Sequence, residues 1–276
     1  MSFLGPRRTA IAKMSRFLKL MAHDVICHQE AHGCAADLTT LDAEAPSHTH
    51  WGSFHSKTST GGVTISIKTE YLDQFNEITV HVLSPGRCLG LAPRGPKSSL
   101  LVICLHLNPA ASTHTKSALL KSIADLATSV PGRALLAGDF NFLHSDECRL
   151  HVDDAGAHVT TEQGTLSELF EELFPGWSEL HQPLPTRRQV TGQRISSYSR
   201  LDRIYTNLQP QEVADRQPYT AVIGTASHPS NISDHIPVGC RLGSGLRGPA
   251  RVRAVPRWVT GHPSFAKNVS EILVIQ

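Results

Sequence analysis

Residues 100–107 read L-L-V-I-C-L-H-L, seven apolar side chains interrupted only by His106. A run of this length has strand rather than helix dimensions, and without alternating polar residues it needs cover on both faces. The chain therefore holds a central strand packed between two layers, which commits it to a layered α/β or α+β domain. Its 276 residues suffice for one large core. No stretch reaches the roughly 18 consecutive apolar residues of a membrane-spanning helix, so an integral membrane protein is not expected. With 40% hydrophobic and 18% charged residues, a disordered chain is excluded as well.

Weaker signals place the remaining elements. Ala10, Ile11, Met14, Phe17, Leu18 and Met21 recur at helical spacing and predict an amphipathic first helix. The five basic residues among the first 21, with no acid, would also suit an organelle transit peptide, but the helix is the plainer reading. Residues 24–29 (D-V-I-C-H-Q) predict a buried strand. The polar stretch from there to Gly61-Gly62, with His48, His50 and His55, reads as a loop without a metal site. V-T-I-S-I at 63–67 reads as a half-exposed strand pairing with 78–83, and the Pro- and Gly-rich segment 84–99 as a loop.

A helix is predicted over 112–129, stopped by Pro131-Gly132, followed by a short strand at 134–137. A second helix is expected at 166–173 with Thr165 as its cap. Short strands follow at 201–205, 219–223 and 236–242. The domain is expected to span 1–242, and a Gly/Arg/Pro-rich tail to span 243–276.

Candidate chemistry sits at the ends of these strands. Asp139 and Asn141 are two apart, so on extended chain they share a face. Asp202 is an acid in an otherwise apolar strand and needs a partner, either a histidine or an adjacent arginine. Asp234-His235 precedes the last strand, Glu30 ends the first, and His106 lies inside the central one. Such a set suits a hard divalent cation, which takes a few carboxylate oxygens and keeps waters that a phosphate can displace. Zinc hydrolysis is not suggested, for H-E-x-x-H is absent; a nucleophile elbow and a Walker loop are missing too. Six cysteines without a C-x-x-C pair argue against a zinc ribbon and favour a reducing compartment. Net charge is only +2, so a polyanion would be met by local clusters: Arg187, Arg188, Arg194, Arg200 and Arg203, or the arginines from Arg241 to Arg257.

Taken together, Q-E at Gln29-Glu30, G-D-F-N at Gly138 to Asn141, R-L-D-R-I at Arg200 to Ile204 and S-D-H at Ser233 to His235 resemble the ordered motifs of the endonuclease/exonuclease/phosphatase superfamily. Within it, H-D-V-I-C-x-Q-E, the strand opening G-G-V and the tail R-W-V-T-x-H-P-x-F-A are similar to endonuclease domains of non-LTR retrotransposons. The resemblance implies a four-layered α/β sandwich, two β-sheets flanked by helices, with the site at one sheet edge.

It further implies roles. Glu30 would be the main ligand of Mg²⁺ (or Mn²⁺), with Asp234 assisting. Asp139 would orient or deprotonate the attacking water, and Asn141 would hold that water or the phosphate. His106 would contact a phosphate oxygen, and Asp202 would orient His235, which stabilises charge on phosphorus or transfers a proton. Arg187, Arg188, Arg194 and Arg200 would contact the nucleic-acid backbone, DNA rather than RNA. Members of the family usually begin with a strand carrying N-x-N, and this sequence starts just after the point where it would end, so the first strand is expected to be missing. Cys104 stands where an asparagine is frequent, and His28 where a leucine is common. The implied activity is DNA nicking; a catalytically impaired retroelement remnant and a phosphatase or phospholipase of the same fold are the alternatives. An intracellular protein is expected, nuclear by the retroelement analogy alone.

Overall fold

The computed structural model describes residues 14, 15, 18, 23–57, 59–153, 156–161, 164–191, 194–223 and 233–243, the side chains of 153, 156 and 194 excepted. Most of the expected helix over 10–21 and the tail beyond Gly243 therefore lie outside the described residues. Met14, Ser15 and Leu18, all helical and buried, belong to that first helix.

The strands in chain order are β1 (Val25–Gln29), β2 (His48–Ser53), β3 (Val63–Lys68), β4 (Glu77–Ser84), β5 (Cys88–Arg94), β6 (Leu100–His106), β7 (Arg133–Asp139), β8 (Arg149–Asp153), β9 (Gly156–Thr160), β10 (Ser178–Glu179), β11 (Arg187–Thr191), β12 (Arg194–Ser199), β13 (Asp202–Thr206), β14 (Tyr219–Val222) and β15 (Val238–Arg241). The helices are α1 (Ala35–Glu44), α2 (Thr69–Leu72), α3 (Thr113–Ser129), α4 (Thr165–Leu173) and α5 (Pro210–Arg216).

The apolar run at 100–107 becomes β6, buried at every position and central in a six-stranded sheet of order β10-β13-β7-β6-β5-β4. Its two faces belong to two cores, as alternation requires. Leu101, Ile103 and Leu105 pack under α3 and α4 with Leu120, Ile123, Leu126 and Phe170. Leu100, Val102 and Cys104 face Val63, Ile65 and Ile67 of a second sheet, ordered β1-β3-β2. Helix α1 covers the far side of that second sheet, so helix, sheet, sheet and helix form the four layers.

Helix α3 runs as expected, with Ser112 Oγ accepting from Thr115 N at its start. Helix α4 starts one residue earlier than expected, with Gly164 rather than Thr165 at the cap position.

Four readings of the sequence need correction. The polar stretch before Gly61 is not a loop: it holds α1 and β2. Strand β2 hides because its buried face carries His48 and His50. The His50 ring nitrogens meet Ser66 Oγ and Ala45 O, and the His48 ring nitrogens Ser47 Oγ and His23 O. Strand β3 is not half-exposed. Its polar residues Thr64 and Ser66 are buried too, each bonded to a histidine ring, His28 and His50.

Segment 78–83 pairs with β5 rather than β3, so 84–99 is not a loop. Gly90 and Pro93 obscured β5; β6 pairs only with Cys88 to Leu91, which leaves Pro93 beyond that ladder. Finally, β8, β9, β11 and β12 form a four-stranded sheet, β11-β12-β8-β9, that sequence periodicity did not reveal.

Among the described residues, β1 pairs with β3 on one edge and with no strand on the other, and β14 and β15 pair only with each other.

Candidate active site

Pairing register builds the site. Strand β6 runs parallel to β7 with His106 opposite Asp139, and β13 runs antiparallel to β7 with Asp202 opposite Asp139. The three side chains therefore form a row across three neighbouring strand ends, all on the face between the two sheets. Glu30 follows the last residue of β1 in the opposing sheet, and His235 enters from the segment before β15.

The close approach of β7 to β6 needs Gly138: a Cβ there would sit 1.8 Å from Leu105 O, and φ is +151°. Beyond the strand end, Phe140 and Phe142 point to the helix-side core, where Phe140 packs edge-on against Phe170 and Tyr205 at 5.6 and 5.2 Å between ring centroids. Asp139 and Asn141 are thereby turned the other way and held. Glu30, His32 and Asn141 adopt left-handed backbone conformations, φ +52°, +42° and +47°. For Glu and His this is unfavourable, the kind of local strain that concentrates at functional sites.

Asp139 Oδ2 is the hub. Asn141 Nδ2 donates to it at 2.7 Å and Asn141 N donates to Oδ1 at 3.0 Å. His106 Nε2 and His235 Nε2 lie 3.8 and 3.9 Å from the same Oδ2, and His106 Nε2 lies 3.8 Å from Glu30 Oε1. These separations are too long for direct hydrogen bonds and suit a bridging oxygen. The partner that Asp202 required is His235, whose Nδ1 sits 2.8 Å from Asp202 Oδ2.

The environment splits the titrations of these groups. Burial, then the Asp202 charge, raises the Asp139 carboxyl to about 7. Burial opposes charge on His235, but the Asp202 charge and hydrogen bond, with Asp139, outweigh it and raise the imidazole to about 9. Burial likewise opposes the Asp202 carboxylate, and His235 more than compensates, so its pKa falls. His106 is lowered to about 3, by burial and then by the Arg87 guanidinium. The site thus holds a carboxyl titrating near neutrality, an imidazolium stable above it and a neutral imidazole.

Among the described residues, no three His, Cys, Asp or Glu side chains are grouped so as to hold a metal ion. Glu30 nevertheless keeps a carboxylate 44% exposed, beside the buried His106 and Asp139. Such a donor fits a hard cation that takes one or two carboxylates and retains its waters, not a zinc cage.

The other expected site residues are scattered by role. The Asp234 carboxylate is engaged by Arg187 Nε at 3.1 Å, and its carbonyl accepts from Arg188 N. Arg187 and Arg188 are partly exposed on β11, whose first residue bridges to His235. The Arg194 side chain lies outside the described residues. Arg200 corrects the expectation of a nucleic-acid contact: its side chain is only 10% exposed, its guanidinium held by Glu147 and Glu179 together with the fully buried Arg203. One residue escaped the sequence reading altogether. Arg87, in the segment read as a loop, places Nη1 2.9 Å from His106 Nδ1; only the pairing of β5 with β6 could have pointed to it.

The sheet sandwich thus gathers Asp139, the His235–Asp202 pair and the Asn141 amide at one sheet edge. The chain belongs to the endonuclease/exonuclease/phosphatase family, whose sequence profile matches residues 4–235. The fold is similar to an AP endonuclease from Archaeoglobus fulgidus (TM-score 0.59, 15% identity, covering 85% of this chain and 95% of that one). It is also similar to D. rerio TDP2 complexed with a single-strand DNA product (0.57, 15%, 83% and 90%). A third similarity is to the endonuclease domain of TRAS1, a telomere-specific non-LTR retrotransposon (0.54, 13%, 84% and 90%). No curated protein sequence matches.

Proposed function

We propose that the protein is a divalent-cation-dependent phosphodiesterase that nicks DNA, in the manner of a retroelement endonuclease. The observation that carries this reading is the row His106, Asp139 and Asp202, closed by the 2.8 Å bond from Asp202 to His235.

In this reading Glu30 would hold a Mg²⁺ or Mn²⁺ ion, which would supply Lewis-acid polarisation of a phosphoryl oxygen. Asp139, titrating near 7, accepts the proton of the attacking water at its carboxylate. Asn141 fixes that carboxylate through two hydrogen bonds, so its free lone pairs face the reacting group. Asp202 holds the His235 ring by Nδ1 and keeps it cationic, with Nε2–H turned toward Asp139, where the scissile phosphate would lie. That charge acts on negative charge growing at phosphorus, so it contributes mainly to turnover. Asp234 is engaged by Arg187, so its part is to set the strand before His235 rather than to hold the ion. Arg187 and Arg188 line the approach and suit backbone phosphates. A nuclear site of action goes with the retroelement reading.

The deciding experiment is nicking of supercoiled plasmid with Mg²⁺, with EDTA, and with Glu30→Gln and His235→Ala variants. Metal-dependent nicking lost in both variants supports the reading. No nicking by the wild type overturns it in favour of a catalytically impaired remnant, and equal nicking by wild type and variants overturns the site assignment. Release of inorganic phosphate or of a lipid headgroup in place of nicking would assign a different phosphoester.

A further inference from the structure

Arg87 belongs to no motif, yet the fold delivers it into the site through a chain of specific contacts. Strands β4 and β5 join through Pro85-Gly86, where Gly86 has φ +69°, its N–H bonds Ser53 Oγ and its carbonyl accepts from Gly62 N. The turn closes with Arg87 N donating to Ser84 O at 2.9 Å. Arg87 O then accepts from His106 N at 2.8 Å, so the two residues are backbone neighbours across β5 and β6. Gly61, at φ +65°, leaves the space: a Cβ there would meet Gly86 O at 2.9 Å and the Arg87 Cζ at 3.4 Å.

The side chains complete the link, with Arg87 Nη1 2.9 Å from His106 Nδ1. A guanidinium has donors only, so Nδ1 must accept, and the single proton of the neutral ring is on Nε2. That nitrogen stands 3.8 Å from both Glu30 Oε1 and Asp139 Oδ2, in a ring whose side chain is 3% exposed.

We infer that Arg87 is a positioning residue: it fixes the tautomer and orientation of His106 so that a neutral Nε2–H is presented to a substrate oxygen between Glu30 and Asp139. The structural half of this statement stands on geometry; its catalytic half rests on the phosphodiesterase reading above. Arg87 acts through His106 and needs no contact with the reacting atoms.

The test combines a spectroscopic and a kinetic measurement. In the free protein at one fixed pH, ¹⁵N spectra of the histidine rings are expected to show His106 with Nδ1 as a hydrogen-bonded acceptor and Nε2 protonated. In Arg87→Met the Nδ1 resonance should move to the position of an unbonded acceptor or join a mixture of tautomers. Arg87→Lys, which keeps the charge and a donor nitrogen, should restore part of the wild-type signal.

On nicking, Arg87→Met should lower kcat by about 10- to 100-fold with KM changed less, and should change kcat by less than about 2-fold in a His106→Ala background. An unchanged ring signal in both Arg87 variants overturns the inference whether or not the protein nicks DNA. An equal loss of kcat in both backgrounds overturns it as well, since Arg87 would then act independently of His106. A changed ring signal in a protein without nicking activity keeps the positioning and refutes only the proposed reaction.

Discussion

Replacing Asp202 by Asn removes one charge from the middle of the site and preserves its volume. In the wild type the His235 imidazole stands at about 9 against an ordinary 6.5; burial would lower it, and the adjacent carboxylates reverse that. The rise corresponds to roughly 3 kcal/mol of preference for the imidazolium in the folded state. Because the folded value lies above the unfolded one, this stabilisation is fully present below about pH 6.5 and is lost as pH rises through about 9. Asp202→Asn is therefore expected to cost about 2–3 kcal/mol of unfolding free energy near pH 6, Asp139 retaining the remainder. Near pH 10 it should cost about nothing, or yield a small gain, since Asp202 is then a buried carboxylate beside a neutral ring. Urea unfolding at the two pH values reads the difference, and NMR titration of the His235 ring should move its midpoint from about 9 to roughly 7, the rise that Asp139 still supports. A midpoint that stays near 9 in the variant, or the same stability loss at both pH values, would refute the assignment of the shift to this pair.

Nicking rate against pH should be bell-shaped, rising as Asp139 deprotonates at about 7 and falling as His235 deprotonates at about 9; a flat profile would remove Asp139 from the role of base. Gly138→Ala forces a Cβ against Leu105 O and should destabilise by about 3 kcal/mol or more, read as a lower urea midpoint. Glu147→Ala takes from the buried Arg203 guanidinium its nearest carboxylate, leaving it Glu179 at 3.5 Å, and should cost about 2–3 kcal/mol by the same assay. The Glu147 carboxyl is held at about 2: burial opposes this, and hydrogen bonding and charge from Arg203 prevail. Its contribution is present above about pH 4.5 and lost as pH falls through about 2, so the penalty of the variant should vanish in strong acid.

The sequence was most legible where a local rule sufficed. Seven apolar residues around His106 demanded a doubly covered strand, and β6 is one. Alternation put Asp139 and Asn141 together, as observed. Legibility failed where a polar residue was buried with a partner distant in sequence. The histidines of β2 and the Thr64 and Ser66 of β3 look like solvated positions until the rings and hydroxyls that satisfy each other are brought side by side. Arg200 failed the same way, since an arginine in a basic window gives no sign that Glu147 and Glu179 await it.

By itself, then, the sequence determined that Glu30, Asp139 and Asp202 stand at strand ends and that β6 is covered on both faces, because both follow from the apolar pattern along one chain segment. Only the tertiary structure decided which ends lie next to one another. The opposition of His106, Asp139 and Asp202, the choice of His235 as partner for Asp202, and the arrival of Arg87 behind His106 are all set by register between strands far apart in the chain. Register is fixed by the packing of whole faces, a cooperative property that no local window of residues contains.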